Sequence, residues 1–180
     1  MWINENLIKF LESSCTISKT NFYISDLKKI RVSVVPSKRA EMPNQLISRE
    51  ILESLLVIGT GVEQDKYIMI NSKNDIIPMF EENSDDATNY TSQIILPIWA
   101  DNELKGSLIL VSENRKFDDY DLELARSVQI FIEESIINTI NEEYLKKTEK
   151  KKVKSVLKKD DPSTETTIIK TETTTDENDM

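Results

Sequence analysis

Hydrophobic residues at the start of the chain recur with the spacing of an amphipathic helix. The residues that fall mostly at this spacing are Trp2, Ile3, Leu7, Ile8, Phe10 and Leu11. They predict a helix over residues 2–14. Two extended apolar runs follow at 21–24 and 30–35, and the polar residues 26–29 between them have the composition of a turn. We therefore expect an antiparallel hairpin that ends at Pro36, because proline cannot donate to a strand ladder.

The middle of the chain predicts one short helix and one short strand. Residues 36–45 are polar and indicate a loop, and Ser48 is placed to cap a helix over residues 49–57. The glycines within 59–61 permit the left-handed backbone that ends a helix. The apolar run 67–70 then predicts a strand.

A connector and a second hairpin follow. Residues 75–89 have an apolar centre within an acidic surround, which indicates an irregular segment. Strands are predicted at 91–99 and 106–112, with turn residues at 101–103 between them. The later strand is nearly all apolar, so we expect it to be central and buried on both faces.

The last helix is predicted over about residues 119–145 by a strong start signal. Asp118 and Asp121 have the spacing of a capping box, and Phe117 and Leu122 that of a hydrophobic staple. The apolar residues of this helix are Leu122, Leu124, Ala125, Val128, Ile130, Phe131, Ile132, Ile136, Ile137, Ile140 and Tyr144. They cover more than the stripe that one sheet face needs. The surplus indicates packing against the N-terminal helix, a second subunit or both, and non-specific hydrophobicity is the alternative.

This order of elements predicts an α+β fold. We expect an antiparallel sheet of about five strands, with the N- and C-terminal helices packed on one face. The connector is then left to cover the other face.

Charge divides the chain into a folded domain over 1–145 and a charged, Thr-rich tail over 146–180. The domain carries 14 basic and 24 acidic residues, which argues against nucleic acid binding by it. Residues 146–159 hold eight Lys and one Glu, and 160–180 hold seven acids and one Lys. We expect a frayed helix end followed by a disordered segment. The Lys run is either a solvated helix extension or a patch for an acidic partner or membrane surface.

Composition excludes several classes of chemistry. The chain has no His and one Cys, so it has no Ser-His-Asp triad, no His-ligated metal and no intrachain disulfide. We expect no catalytic residues, no metal and no cofactor. The apolar runs are too short for a membrane span, and the N-terminus lacks a signal peptide pattern. These features favour a cytoplasmic protein that is not an enzyme.

Two segments resemble the GAF domain family. Residues 95–110 are similar to its penultimate hairpin, with a Pro-apolar pair, a polar turn and a Gly before an apolar strand. Residues 117–125 resemble the start of its last helix. The segments 43–45, 48–56 and 89–91 add a resemblance to one branch, the C-terminal GAF-like domain of stage V sporulation protein T.

The resemblance implies a GAF-like sensor domain of a sporulation-related transcription regulator. Such a domain binds a small molecule between sheet and connector and dimerises through its terminal helices. The DNA-binding swapped-hairpin module of that regulator has no counterpart here, so we expect no direct nucleic acid binding by the folded domain. The alternative is a protein–protein interaction module, for dimerisation or docking, with a collapsed, ligand-free pocket.

The resemblance also implies two sets of site residues. Those expected to bind the ligand are Tyr67, Met69, Met79, Phe80, Tyr90 and Trp99. Aromatic walls with a few polar tips suit a small organic molecule, and the alternative is that these residues only fill the core. Those expected at the helix interface of a homodimer or another helical partner are Leu7, Leu11, Leu124, Phe131 and Ile137.

Cys15 invites comparison with the free methionine sulfoxide reductases, which are GAF domains that use several Cys. Cys15 is the only Cys in the chain, so no second thiol can resolve a sulfenic acid within it. We therefore expect Cys15 to be a small core residue.

Overall fold

The structure is a computed structural model that describes residues 3–35, 38–39, 45–59, 66–81 and 89–159. The elements in chain order are α1 (Glu5–Ser18), β1 (Asn21–Asp26), β2 (Ile30–Val35), β3 (Lys38–Arg39), α2 (Arg49–Gly59), β4 (Ile68–Ile70), a 3₁₀ turn (Lys73–Asp75), β5 (Ser92–Ala100), β6 (Glu103–Ser112) and α3 (Asp119–Lys159). The chain divides into two units, Met1–Ile137 and Asn138–Met180, and the sheet lies in the first.

The sheet is antiparallel throughout, in the order β3-β2-β1-β6-β5-β4. The α+β fold with an antiparallel sheet is confirmed. The sixth strand is β3, a two-residue pairing with the end of β2 in a segment expected to be loop. The two expected hairpins are present as β1–β2 and β5–β6.

Both faces of the sheet are covered by apolar side chains. Leu108 and Leu110 of β6 pack with α1 and α3, whereas Ile109 and Val111 pack with α2 and the connector. All four are at most 1% exposed, as expected for a central strand. The terminal helices therefore share one face and α2 covers the other.

The N-terminus of α3 is capped as the sequence predicts. Asp118 Oδ1 accepts from the backbone N–H of Asp121 at 3.1 Å, and Asp121 Oδ2 accepts from that of Asp118 at 3.0 Å. Arg115 donates to both carboxylate oxygens of Asp121. Burial alone would raise the pKa of Asp121, but the hydrogen bonds from Arg115 and Asp118 outweigh it and lower the pKa. The helix continues to Lys159, beyond the predicted end at residue 145.

The surplus apolar residues of α3 meet the N-terminal helix. Phe131 stacks on Phe10 of α1 with ring centroids 3.9 Å apart. Ala125, Val128 and Ile132 are buried in the same cluster. Contact with the N-terminal helix, one of the partners expected from the sequence, therefore accounts for part of the surplus.

Two side chains of α3 bond to the backbone of β5. Gln129 Nε2 donates to the carbonyl oxygen of Pro97, and Glu133 Oε1 accepts from the N–H of Trp99 at 2.9 Å. A bulge in β5 lies between Ile98 and Trp99. Burial raises the pKa of the Glu133 carboxyl, and the hydrogen bond from Trp99 offsets this in part.

Glu133→Gln is expected to raise the melting temperature at neutral and alkaline pH. The amide keeps an oxygen that accepts from Trp99 and removes a charge that burial disfavours. Because the folded pKa of Glu133 lies above the unfolded value, the wild type loses stability as pH rises through the folded pKa. The difference in melting temperature should therefore vanish below about pH 4.

Thermal unfolding of both proteins across this pH range measures the effect. Glu134→Gln, at the exposed neighbouring position on α3, is the matched control and should shift the melting temperature little. A difference between Glu133→Gln and wild type that does not grow with pH would contradict the assignment.

Candidate functional site

An apolar cleft of about 590 Å³ opens on the α2 face of the sheet. Its apolar walls are contributed by α2, β4 and the connector, through Val57, Ile58, Ile68, Ile76, Ile77 and Pro78. Glu50, Glu53 and Ser54 of α2 complete the lining. This size and composition suit a small molecule with an apolar body.

A buried amide holds the connector wall of the cleft. Gln93 of β5 accepts from the N–H of Ile77 and donates to its carbonyl oxygen, both at 2.9 Å. The side chain is fully buried, so losing these bonds would leave unpaired polar groups in the core. The part of the connector around Ile77 therefore has a defined position opposite α2.

Ser48 joins the two walls of the cleft. Its Oγ accepts from the N–H of Ile51 at 3.1 Å, which confirms the predicted cap of α2. The same hydroxyl donates to the carbonyl oxygen of Pro78, and the Ser48 N–H donates to that of Met79 at 2.8 Å. A displacement of the connector would therefore act directly on the start of α2.

Aromatic residues form part of the core on this face. The hydroxyls of Tyr23 and Tyr90 are hydrogen-bonded at 3.0 Å, and Phe80 meets the Tyr23 ring edge-on at 6.2 Å between centroids. Tyr23 and Tyr90 are buried, and each satisfies the other's polar group.

The six residues expected to bind a ligand lie in different places, and none of them lines the cleft. Met79, Phe80 and Tyr90 belong to the core on the α2 face, whereas Met69 packs on the opposite face with α1 and α3. Alternate residues of a strand point to opposite faces, and it is Ile68 that reaches the cleft. The ligand-binding role of the six residues stays a prediction.

Tyr67 and Trp99 lie apart from the other four. The Arg126 guanidinium of α3 lies 5.2 Å from the centre of the Tyr67 ring, a cation–π contact. Trp99 is half-buried, and its backbone N–H bonds to Glu133. Its indole Nε1 is buried without a hydrogen-bond partner among the described residues.

The five residues expected at a helix interface differ in exposure. Leu7 and Leu11 are buried in the chain's own core, and Leu124 packs against the same cluster. Phe131 and Ile137 are 37% and 43% exposed and are available to a second chain. Dimerisation through these helices stays a prediction.

A second cleft, of about 420 Å³, lies at the end of α1 and is lined mainly by polar and charged residue types. Its lining includes Arg115. That guanidinium is already bonded to Asp121, to the Ser18 carbonyl oxygen and to Thr20 Oγ1. The apolar cleft beside α2 is therefore the better candidate for a ligand site.

Cys15 is fully buried, as expected for a core residue. Its single S–H has two carbonyl oxygens within reach, that of Thr20 at 2.8 Å and that of Val34 at 3.4 Å from Sγ. Burial raises the pKa of the thiol to about 11. A thiol in this state is a poor nucleophile at neutral pH.

Within the described ranges, no group of three or more metal-binding side chains comes together. No described helix is both long and apolar enough to cross a membrane.

Comparison with solved structures identifies the fold as GAF-like. The cofactor-binding GAF domain of the nutrient sensor CodY from Clostridium difficile is 17% identical, with a TM-score of 0.50 over 69% of this chain and 80% of that one. The phycoerythrobilin-bound GAF domain of a cyanobacterial phytochrome is 14% identical, with a TM-score of 0.51 over 76% and 89% of the two chains.

The phycocyanobilin-bound GAF domain of a cyanobacterial phytochrome has 15% identity and a TM-score of 0.50, over 76% of this chain and 87% of that one. At these identities the likeness shows the fold. The sequence itself matches no family model and no curated protein. The GAF-like fold implied by the sequence resemblance is therefore confirmed by the structure.

Proposed function

We propose that this chain is a non-catalytic sensor domain that binds a small molecule in the cleft between α2, β4 and the connector. The observation that carries the proposal is the shared role of Ser48, which caps α2 and bonds to the connector. A ligand seated between these walls would stabilise both together. In support, the solved relatives include GAF domains described as cofactor-binding and bilin-bound.

A non-catalytic role fits the chemistry of the chain. It has no His, and its single thiol is buried with a raised pKa. An acyl-transfer or redox enzyme that uses a cysteine needs an activated thiolate, which Cys15 does not supply.

Finer parts of the proposal rest on the sequence alone. They are a relation to a sporulation transcription regulator, a cytoplasmic location, and a division into a sensor domain over 1–145 and a tail over 146–180. Dimerisation through the terminal helices is supported by the exposed side chains of Ile130 and Ile137 on α3. The same exposure favours the alternative, an interaction module whose cleft stays empty.

Thermal unfolding of the full chain against amino acids, nucleotides and other metabolites tests the proposal. A ligand at 100 times its Kd should stabilise the domain by about 2.7 kcal/mol. Val57→Trp should abolish this stabilisation, because Val57 lines the cleft and is exposed enough to accept a larger side chain.

Leu56→Trp is the matched control, since Leu56 is the exposed neighbour on α2 that does not line the cleft. It should keep the full ligand effect. A ligand that stabilises both variants equally binds outside the cleft. If no metabolite of the panel raises the melting temperature, the interaction module is favoured.

A further inference from the structure

The charged residues that line the cleft are acidic. All of its lining residues lie between Glu50 and Pro78. The described parts of the surrounding stretch, 49–59 and 66–81, contain four acidic and three basic residues, so the charge that a ligand meets depends on which of them line the cleft.

Two of the acidic residues line the cleft itself. Glu50 and Glu53 are one helical turn apart on α2, and no basic residue is among the described lining residues. Arg49 donates through Nε to Glu53 Oε1 at 2.7 Å and compensates that carboxylate in part. Glu50 interacts with Arg49 through charge alone and more weakly. The lining therefore keeps an excess negative charge.

The remaining lining is apolar, which favours a hydrophobic ligand body. A ligand carboxylate beside Val57 and Ile77 would lose water without gaining a cationic partner from the described lining. An ammonium group could instead stay at the rim, near Glu50 and Glu53, while its hydrocarbon part fills the cleft. Charge and apolarity together select one class of ligand.

We infer that the cleft takes an apolar molecule that carries a positive charge and rejects its carboxylate counterpart. The inference rests on the proposed function and adds the chemical class of the ligand. Each exposed carboxylate should contribute up to about fivefold in affinity, since exposed charge pairs are weak and screened by salt.

Three probes of similar shape separate charge from hydrophobicity: 3-methylbutylammonium, 3-methylbutan-1-ol and 3-methylbutanoate. Each is titrated into the full chain while methyl resonances of Ile58, Ile68, Ile76 and Ile77 are followed by NMR. The expected order of affinity is ammonium, then alcohol, then carboxylate. The preference for ammonium over alcohol should shrink as salt is raised.

Variants test whether the two rim carboxylates cause this order. Glu50→Gln combined with Glu53→Gln should lower the affinity for the ammonium probe until it is close to that for the alcohol. The affinity for the alcohol should not change. Glu123→Gln combined with Glu134→Gln, at exposed positions on α3, removes an equal charge outside the lining and should keep most of the preference.

The outcomes separate this inference from the proposed function. Equal binding of ammonium and alcohol overturns the charge selection and leaves a small-molecule cleft. Tighter binding of the carboxylate than of the ammonium also overturns the charge selection. So does an anionic metabolite from the panel whose stabilising effect is abolished by Val57→Trp. If none of the three probes shifts the methyl resonances of the cleft, the inference is overturned. The proposed function is then tested by the thermal unfolding measurements with metabolites alone.

Discussion

Gly106→Ala should lower the free energy of unfolding by about 3 kcal/mol or more, or prevent folding altogether. Gly106 lies in β6 between Asp26 of β1 and Ile98 of β5. A Cβ at this position would lie 1.8 Å from the carbonyl oxygen of Ser25 and 2.8 Å from its carbonyl carbon. These are backbone atoms, so a rotamer change cannot relieve the overlap, and the central strands would have to separate.

Urea unfolding followed by circular dichroism measures this loss. Ser13→Ala, at an exposed position on α1, is the control, because it lies outside the core and alanine favours a helix. It should leave stability unchanged or slightly higher. A Gly106→Ala protein within about 0.5 kcal/mol of wild type would contradict the close approach of β1 and β6.

Leu11→Ala should lower the free energy of unfolding by about 2–5 kcal/mol. Leu11 is 0% exposed and packs in the cluster that joins α1 and α3 to the sheet. Truncation removes buried methyl groups and leaves a cavity that the surrounding helices and strands can close only in part. Because the contacts are within one chain, the loss should not depend on protein concentration.

The control is Ile17→Ala on the same helix, where the side chain is 82% exposed. Its effect should stay within about 0.5 kcal/mol. A loss at Leu11 that disappears as the protein is diluted would instead place this residue between chains, as the sequence resemblance implies. Unfolding at several protein concentrations therefore distinguishes core packing from an interface.

Local signals explain why much of the fold could be predicted. The caps at Ser48 and Asp118 depend on residues within three positions of each other, and both form as expected. The apolar run of β6 is long enough to show burial on both faces without knowledge of its neighbours. The end of α3 could not be predicted as well, because a Lys-rich sequence is compatible with both a helix and a solvated tail.

The site could not be predicted in the same way, because it depends on contacts distant in sequence. The run from Tyr67 to Ile70 is apolar without alternation, so nothing in it shows that Ile68 lines the cleft and Met69 faces away. Gln93 is a single polar residue in a strand, and its hydrogen-bond partner Ile77 is 16 residues away in the sequence. No local pattern indicates this pairing. The apolar centre of the connector was the available signal for Ile76, Ile77 and Pro78.

The hydrogen bonds from α3 to β5 also bear on how the protein behaves when concentrated. β4 pairs with only three residues of β5, so in the described part of the chain the stretch from Leu96 to Ala100 has a strand, β6, on one side and none on the other. An open stretch of this kind is a template for strand addition by another molecule.

Three features remove that template. Pro97 has no N–H to offer, its carbonyl oxygen is taken by Gln129, and the N–H of Trp99 is taken by Glu133. Pairing by an incoming strand would have to break these bonds and flatten the bulge after Ile98. The helix that packs on the sheet thereby also protects its open edge from aggregation.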